Sequence, residues 1–259
     1  MKTEVERRER RQDLQVGMAN ALLQGRGIHA PETARSLAER INHPPTVLAT
    51  FGITAFLDCV RRDPSRALVN AERTVALAGD FNLPTWRMIG KLSLFWARAA
   101  LDPALANWKK LSAVVADSDA QGVGLLEIHR LYLASGYAKA GEFELSLALA
   151  DQALANIQER GLLVFLSEAH RVRGEILANC ESTDLASVVN AFHTAIVIAR
   201  GQGARSLELR TALSLARIYE STGRRADAHA VLAPALEGFA PTPQMPEIAE
   251  AQALLSRLA

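Results

Sequence analysis

The chain has 259 residues, 49% of them hydrophobic and 5% aromatic, and its 29 Lys and Arg residues nearly balance 28 Asp and Glu residues. This balance excludes the strong electrostatic field that would steer a protein to nucleic acid or to an anionic membrane. No stretch approaches the ~20 apolar residues of a membrane span, and the first residues include no apolar signal segment, so we expect a soluble, cytoplasmic protein.

Proline, glycine and polar turns divide the sequence into about twelve or thirteen predicted helices and leave no convincing strand. The first two helices, from about Thr3 to Leu23 and from Pro31 to about Ile41, form an N-terminal pair. Asp63-Pro64 and Asp102-Pro103 predict two matching helix starts. In each, aspartate would cap backbone N–H groups and proline would take the first helical position, where a missing N–H costs nothing.

A helix–turn–helix unit of about 41 residues recurs along the chain. The clearest copy places small, aromatic and turn residues at Ala134, Tyr137, Gly141, Ser146, Ala150 and Ala153. Two periods later the same intervals recur at Ala216, Tyr219, Gly223, Ala228, Leu232 and Ala235. A third copy between them contains Gly174, Leu177, Val188, Phe192 and Ala195. Self-similarity at this period predicts stacked helical hairpins.

Each second helix of the repeat carries a residue that we expect where two helices cross closely, because a larger side chain would separate them. These residues are Ala67, Ala104, Ser146, Ala228 and, as a larger misfit, Val188. About five hairpins then fit in register over residues 44–240, after the N-terminal pair in 1–43, and a last helix over 246–259 caps the stack. The predicted fold is an all-α, right-handed solenoid of tetratricopeptide-like hairpins, forming a single domain over residues 1–259.

Several segments of the sequence resemble a known family. The strongest runs over Ala191–Tyr219 and continues through Gly223-Arg224-Arg225 and Leu232-Ala233-Pro234, and Glu168–Leu177 stands upstream of it. Weaker matches are Arg10–Gln15 and Ala30–Thr33. Together they resemble the C-terminal tetratricopeptide-like repeat region of bacterial multidomain signalling ATPases, which carry an adenylate/guanylate cyclase or winged-helix head and an ATPase module. Both modules are absent here, so the resemblance implies the architecture and carries over no catalytic residue.

Sequence motifs for catalysis or cofactor binding are not found. Gly90-Lys91 lacks the upstream glycine of a phosphate loop, and the Gly122/Gly124 and Gly201/Gly203 pairs are interpreted as helix-ending turns. The histidines show no metal-ligand spacing and no Gly-x-Ser-x-Gly elbow occurs, although a metal site assembled from separate repeats stays open. Cys59 and Cys180 lie among apolar residues and are expected to be buried free thiols. We therefore predict no catalytic residue, no cofactor, no metal and no enzymatic activity.

Arginines cluster in the C-terminal part of the sequence, but acidic residues interrupt them, which is typical of a solvated helix face. The arginines are Arg200, Arg205, Arg210, Arg217, Arg224 and Arg225, and the interrupting residues are Glu208, Glu220 and Asp227. Nucleic acid is therefore not the expected partner, and neither is a membrane.

The remaining candidate site is the concave groove that the first helices of stacked hairpins would line. The repeat register places nine side chains there: Trp86, Trp96, Tyr132, Lys139, Arg171, Glu175, Asn179, Arg210 and Arg217. Exposed Trp, Tyr and Arg dominate binding energy at interfaces, which favours a binding role for this set. The alternative is that Trp86 and Trp96 only fill gaps between helices.

The predicted function is that of a non-catalytic scaffold that binds a protein or peptide partner through this groove, in bacterial signalling. Two alternatives stay open. In one, the chain is the severed regulatory region of an adenylate/guanylate cyclase or signalling ATPase, and such a module is its partner. In the other, it is the arm of a transcriptional regulator.

Overall fold

The computed structural model describes residues 44–122, 126–180, 184–240, 242 and 245–258. These residues form eleven α-helices and one short 3-10 turn, Leu163–Phe165, with no strand among them. The all-α prediction is therefore confirmed for the described residues, while the predicted N-terminal helix pair in 1–43 lies outside them. The chain divides into two compact units, Met1–Leu101 and Asp102–Ala259. The single domain predicted over the whole chain stays a prediction.

The helices follow one another with short connections and are numbered in chain order. Their bounds are α1 Pro44–Arg61, α2 Pro64–Asp80, α3 Pro84–Leu101, α4 Leu105–Ala120, α5 Leu126–Lys139, α6 Phe143–Glu159, α7 Leu166–Leu177, α8 Leu185–Gly201, α9 Arg205–Ser221, α10 Arg225–Leu236 and α11 Pro246–Leu258. The first three belong to unit 1 and the other eight to unit 2.

Unit 1 contains α1, α2 and α3, each of which packs against the other two. Small residues allow this close approach. Ala67 and Ala71 of α2 are fully buried, and a Cβ atom added to Gly52 of α1 would lie only 2.8 Å from the ring of Trp86 on α3. A larger side chain at Gly52 would therefore push α3 away from α1.

The two Asp-Pro helix starts that look alike in the sequence fold differently. Asp63 caps α2 as predicted, because its Oδ1 accepts a hydrogen bond from the backbone N–H of Arg66 at 3.0 Å and Pro64 begins the helix. The matching prediction for Asp102 is wrong. The Oδ2 of Asp102 accepts a hydrogen bond from the side-chain amide of Asn107 at 2.9 Å instead. Helix α4 begins later, at Leu105, with no side-chain cap.

The prediction of a helix crossing at Ala104 is also wrong, because Ala104 is exposed and lies before α4. The close contact of α4 is made by Trp108, which is 5% exposed. A Cβ added to Gly136 of α5 would lie 2.3 Å from the Trp108 ring. Gly136 on the neighbouring helix thus allows the close helix approach that a small residue in the second helix allows in the other repeats.

In unit 2 each helix packs against the next, and contacts also join alternate helices: α5 with α7, α7 with α9, and α9 with α11. The repeated positions fill this packing. All ten non-glycine members of the two matching copies are buried: Ala134, Tyr137, Ser146, Ala150, Ala153, Ala216, Tyr219, Ala228, Leu232 and Ala235. The glycines end helices in the left-handed conformation, with φ of +84° at Gly141 and +76° at Gly223. Residues with a side chain rarely adopt this conformation.

The remaining crossing positions are also buried, and Ser146 adds a hydrogen bond. Its hydroxyl donates to the backbone carbonyl of Ala134 at 2.6 Å, joining α6 to α5. Val188, the predicted misfit, is buried in one core with Phe192. That core accommodates Phe192 because Gly174 of α7 faces its ring, and an added Cβ would lie 3.0 Å away.

The last helix, α11, packs against α9 and α10 at the end of unit 2. Four apolar residues of α11 are buried in one core with residues of α9 and α10, and they are Ile248, Ala251, Leu254 and Leu258. The other side of α11 is exposed at Ala249, Gln252 and Ser256. A terminal helix with one apolar side and one hydrated side closes the hydrophobic core at the end of a helical stack.

Candidate partner-binding face

The odd helices of unit 2 carry most of the side chains that the sequence assigned to a groove. We call these seven residues, with their ion-pair partners Glu247 and Glu250 on α11, the odd-helix face: Tyr132, Lys139, Arg171, Glu175, Asn179, Arg210 and Arg217. The other two predicted residues, Trp86 and Trp96, lie on α3 in unit 1 and are not part of this face.

Burial divides the predicted residues into two groups. Trp96, Tyr132, Arg171 and Arg210 are buried, so none of the four offers an exposed side chain, contrary to the reasoning from the repeat register. Trp86 is half-buried against Gly52. The positions of both tryptophans agree with the alternative that they fill gaps between helices.

Arg171 is buried because two glutamates of its own helix neutralise it. Its Nε and Nη2 donate to the two carboxylate oxygens of Glu168, both at 2.8 Å, and its Nη1 forms an ion pair with Glu175. Burial alone would lower the pKa of Arg171, but the attraction of Glu168 and then of Glu175 raises it above its ordinary value. The guanidinium therefore stays charged inside the protein.

The Arg171 network also connects two helices of the face. Glu175 has 38% of its side chain exposed, and its Oε1 accepts a hydrogen bond from the hydroxyl of Ser214 on α9 at 2.9 Å. Arg171 thus fixes Glu175, and Glu175 joins α7 to α9. The interior end of this network is structural, and only its Glu175 end reaches solvent.

Buried glutamates recur on three odd helices of unit 2. Glu127, Glu168 and Glu208 are at most 3% exposed and lie about one repeat apart. Each binds an arginine three residues away on the same chain: Arg130 at 3.1 Å, Arg171 at 2.8 Å and Arg205 at 2.7 Å. The prediction of a solvated helix face for Glu208 is therefore wrong, and no role was predicted for Glu127 or Glu168, although a Glu–Arg spacing of three residues is a favourable helical pair.

Two arginines of α9, Arg210 and Arg217, are paired with α11. Arg210 pairs with Glu247 at 2.8 Å, with only 9% and 12% of the two side chains exposed. Arg217 pairs with Glu250, and both of these side chains are about half exposed. Arg257 of α11 pairs in turn with Glu220 of α9 at 3.2 Å. Two of the three predicted groove arginines therefore hold the capping helix to its neighbour.

The part of the face that is open to solvent lies at the C-terminal ends of α5, α7 and α9. We call Lys139, Glu175, Asn179 and Arg217 the polar patch. Lys139 ends α5 and Asn179 lies two residues beyond the end of α7; both are exposed and follow Ala134 and Gly174 at the same interval of the repeat. The amide of Asn179 donates to the backbone carbonyl of Glu175 at 2.7 Å, which holds it in place.

A cleft of about 590 Å³ lies between the end of α8, the start of α9 and α10. Two of its lining residues, Arg200 and Arg205, both donate to the buried carboxylate of Glu208 at 2.7 Å. Arg205 also donates to the backbone carbonyl of Glu237 at 2.7 Å, at the C-terminal end of α10. These arginines are therefore engaged in holding α8, α9 and α10 together.

The described part of the chain shows neither a metal-binding cluster nor a membrane-spanning helix. It holds no group of three or more His, Cys, Asp and Glu residues placed to bind a metal ion. None of its helices combines the length and apolarity needed to cross a bilayer. Cys59 is a buried free thiol as predicted, whereas Cys180 is only partly buried and donates to the carbonyl of Ile176. Burial raises the pKa of the Cys59 thiol, which disfavours the reactive thiolate.

Comparison with known proteins adds no assignment. No protein-family model matches the sequence, and no curated protein matches it.

Proposed function

We propose that this chain is a right-handed solenoid of tetratricopeptide-like hairpins that binds a protein or peptide partner through the polar patch and has no catalytic activity of its own. The packing of alternate helices from α5 to α11 supports the solenoid, because stacked hairpins bring their first helices together. The resemblance of residues 168–259 to the repeat region of bacterial signalling ATPases supports a role in signalling.

The observation that carries the proposal is the matched, ordered arrangement of the polar patch. Arg171 and Ser214 hold Glu175, and the carbonyl of Glu175 holds the amide of Asn179. The Oδ1 of Asn179 and the ammonium of Lys139 offer an acceptor and donors at equivalent positions of two successive repeats. Such a preformed surface loses little conformational entropy when a partner docks.

A charge reversal at the patch tests this proposal against a matched control. Lys139 and Lys109 are both exposed lysines of unit 2, but Lys109 lies on α4 and is not part of the odd-helix face. The wild-type chain, Lys139→Glu and Lys109→Glu are immobilised, and the proteins that each retains from a cell extract are compared by mass spectrometry. Equal thermal unfolding of the three chains establishes that neither change disturbs the fold.

We expect at least one protein to be retained by the wild type and by Lys109→Glu and to be lost with Lys139→Glu. Charge reversal at an interface of this kind typically costs more than tenfold in affinity, because like charges are then brought together. If all three chains retain the same proteins, the patch is not the docking site. If none retains a specific protein, or if the pure chain turns over nucleotide, the scaffold proposal fails.

The resemblance also supports a second candidate, in which the chain is the separated regulatory region of a cyclase or signalling ATPase. The same experiment distinguishes the two by the identity of the retained protein, which this candidate requires to be a cyclase or ATPase module. A regulator arm would instead require a salt-dependent complex with DNA.

A further inference from the structure

The capping helix α11 is attached to unit 2 less extensively than α9, the first helix of the hairpin that it covers. Helix α11 buries four of its 13 residues, whereas α9 buries nine of 17. Among the described helices, α11 packs against α9 and α10. Helices with few buried apolar contacts at the end of a stack open more readily than the core of the unit.

Charged contacts along α11 differ in their exposure. Glu247, in the first turn, is fixed by its nearly buried pair with Arg210. From Glu250 onward the pairs are exposed, Arg217 with Glu250 and Glu220 with Arg257, and the backbone carbonyl of Arg257 also accepts a hydrogen bond from Arg225. Salt screens exposed pairs strongly and buried pairs much less. The attachment of residues 250–258 is therefore the part that depends on ionic strength.

We propose that α11 is a cap that opens and closes on its own, without unfolding of the rest of unit 2, and that exposed charge pairs control this opening. In the closed form Glu250 occupies Arg217, a member of the polar patch. In the open form Arg217 is released and the apolar core shared by α9, α10 and α11 is uncovered. Opening requires no partner, so it is tested on the chain alone and independently of the proposed function.

Amide hydrogen exchange of the full chain measures this opening. Exchange is followed at about 0.1 M and about 1 M salt, between which the Debye length falls from about 10 Å to about 3 Å. We expect the amides of residues 250–258 to be less protected than those of α9 at both salt concentrations. Relative to α9, high salt should speed their exchange roughly two- to fivefold for each exposed pair that is screened.

Two arginine variants distinguish the opening of α11 from a general effect of charge on the stability of unit 2. Arg257→Gln removes the pair with Glu220 and should speed exchange of the α11 amides at low salt, with a smaller remaining salt effect. Arg173→Gln removes an equally exposed pair with Asp151, which joins α6 to α7, and should leave α11 exchange unchanged.

The proposal is overturned if the α11 amides are as well protected as those of α9, because α11 then opens only when the whole unit unfolds. It is also overturned if the α11 amides respond neither to salt nor to Arg257→Gln. An equal response to Arg173→Gln would mean that exchange reports the stability of the unit as a whole.

Discussion

Replacing Gly136 by alanine tests the closest helix contact in unit 2. The added Cβ would lie 2.3 Å, 2.3 Å and 2.5 Å from three ring atoms of Trp108, whereas carbon atoms in contact normally lie about 3.5–4.0 Å apart. The ring cannot move easily, because Trp108 is only 5% exposed. Either the indole or the whole of α5 must shift.

The expected cost follows from two opposing effects. Alanine is favoured over glycine in a helix by about 1 kcal/mol, and overpacking a dense core costs about 1–3 kcal/mol, occasionally more. Since three ring atoms collide at once, we place the clash at the upper end of that range. Gly136→Ala should therefore lower the free energy of unfolding by about 2 kcal/mol.

Urea unfolding followed by circular dichroism measures this change, and Gly201→Ala is the control. Gly201 ends α8, and an added Cβ there meets nothing within 4 Å, so that variant should be unchanged or stabilised by up to about 1 kcal/mol. In a Trp108→Leu background the ring is gone, and Gly136→Ala should cost little. If Gly136→Ala is as stable as the wild type, or costs the same in both backgrounds, the contact is not the tight one described.

Four further changes test the buried charges and the helix caps. Arg171→Met should lower the unfolding free energy by about 3–5 kcal/mol in the same urea assay, because it removes a guanidinium that binds two carboxylates inside the protein. Asp63→Ala should cost about 1 kcal/mol through loss of the α2 cap. Asp102→Ala should cost less than about 0.5 kcal/mol, because Asp102 does not cap α4. Equal costs would contradict the difference between the N-termini of α2 and α4. Asp58 is fully buried, and burial raises its pKa above 3.8 despite the hydrogen bond from Asn70. Its contribution to stability is therefore present below pH 3.8 and is lost as the pH rises through its folded pKa. Asp58→Asn should therefore gain stability relative to the wild type between about pH 3.5 and pH 7. A difference in unfolding free energy between the two chains that stays constant with pH would refute this.

The repeat positions could be predicted from the sequence because they depend on local, periodic rules. Ala134 and Ser146 recur with the hairpin, and a small residue has the same effect wherever two helices cross. The helix start at Asp63 follows the same kind of local rule. Asp102 shows the limit of such rules, because Asn107 competes for its carboxylate, and a dipeptide alone does not reveal that competitor.

The burial of the charged residues could not be predicted in the same way. Glu168, Arg171 and Glu175 stand at spacings that also occur on fully solvated helices. What distinguishes them is burial within unit 2, since Arg171 is 0% and Glu168 is 3% exposed. The contact of Trp108 with Gly136 likewise joins residues on separate helices, and neither residue alone indicates the other. Reasoning from the repeat register placed four of the nine side chains at the surface when they are buried, and the binding role of the remaining five stays a prediction.

The recurring glutamates make the hairpins of unit 2 non-interchangeable. The Oε1 of Glu127 accepts a hydrogen bond from the side-chain amide of Asn156 at 3.0 Å, and Asn156 lies on α6 in the same hairpin. Glu208 depends instead on Arg200, which the preceding hairpin supplies from the end of α8. Excising the hairpin of α7 and α8 would remove Arg200 and leave the buried carboxylate of Glu208 with only one of its two described arginine partners, Arg205. The order of these building blocks is therefore constrained by their electrostatics, even though their shapes would allow them to be shuffled.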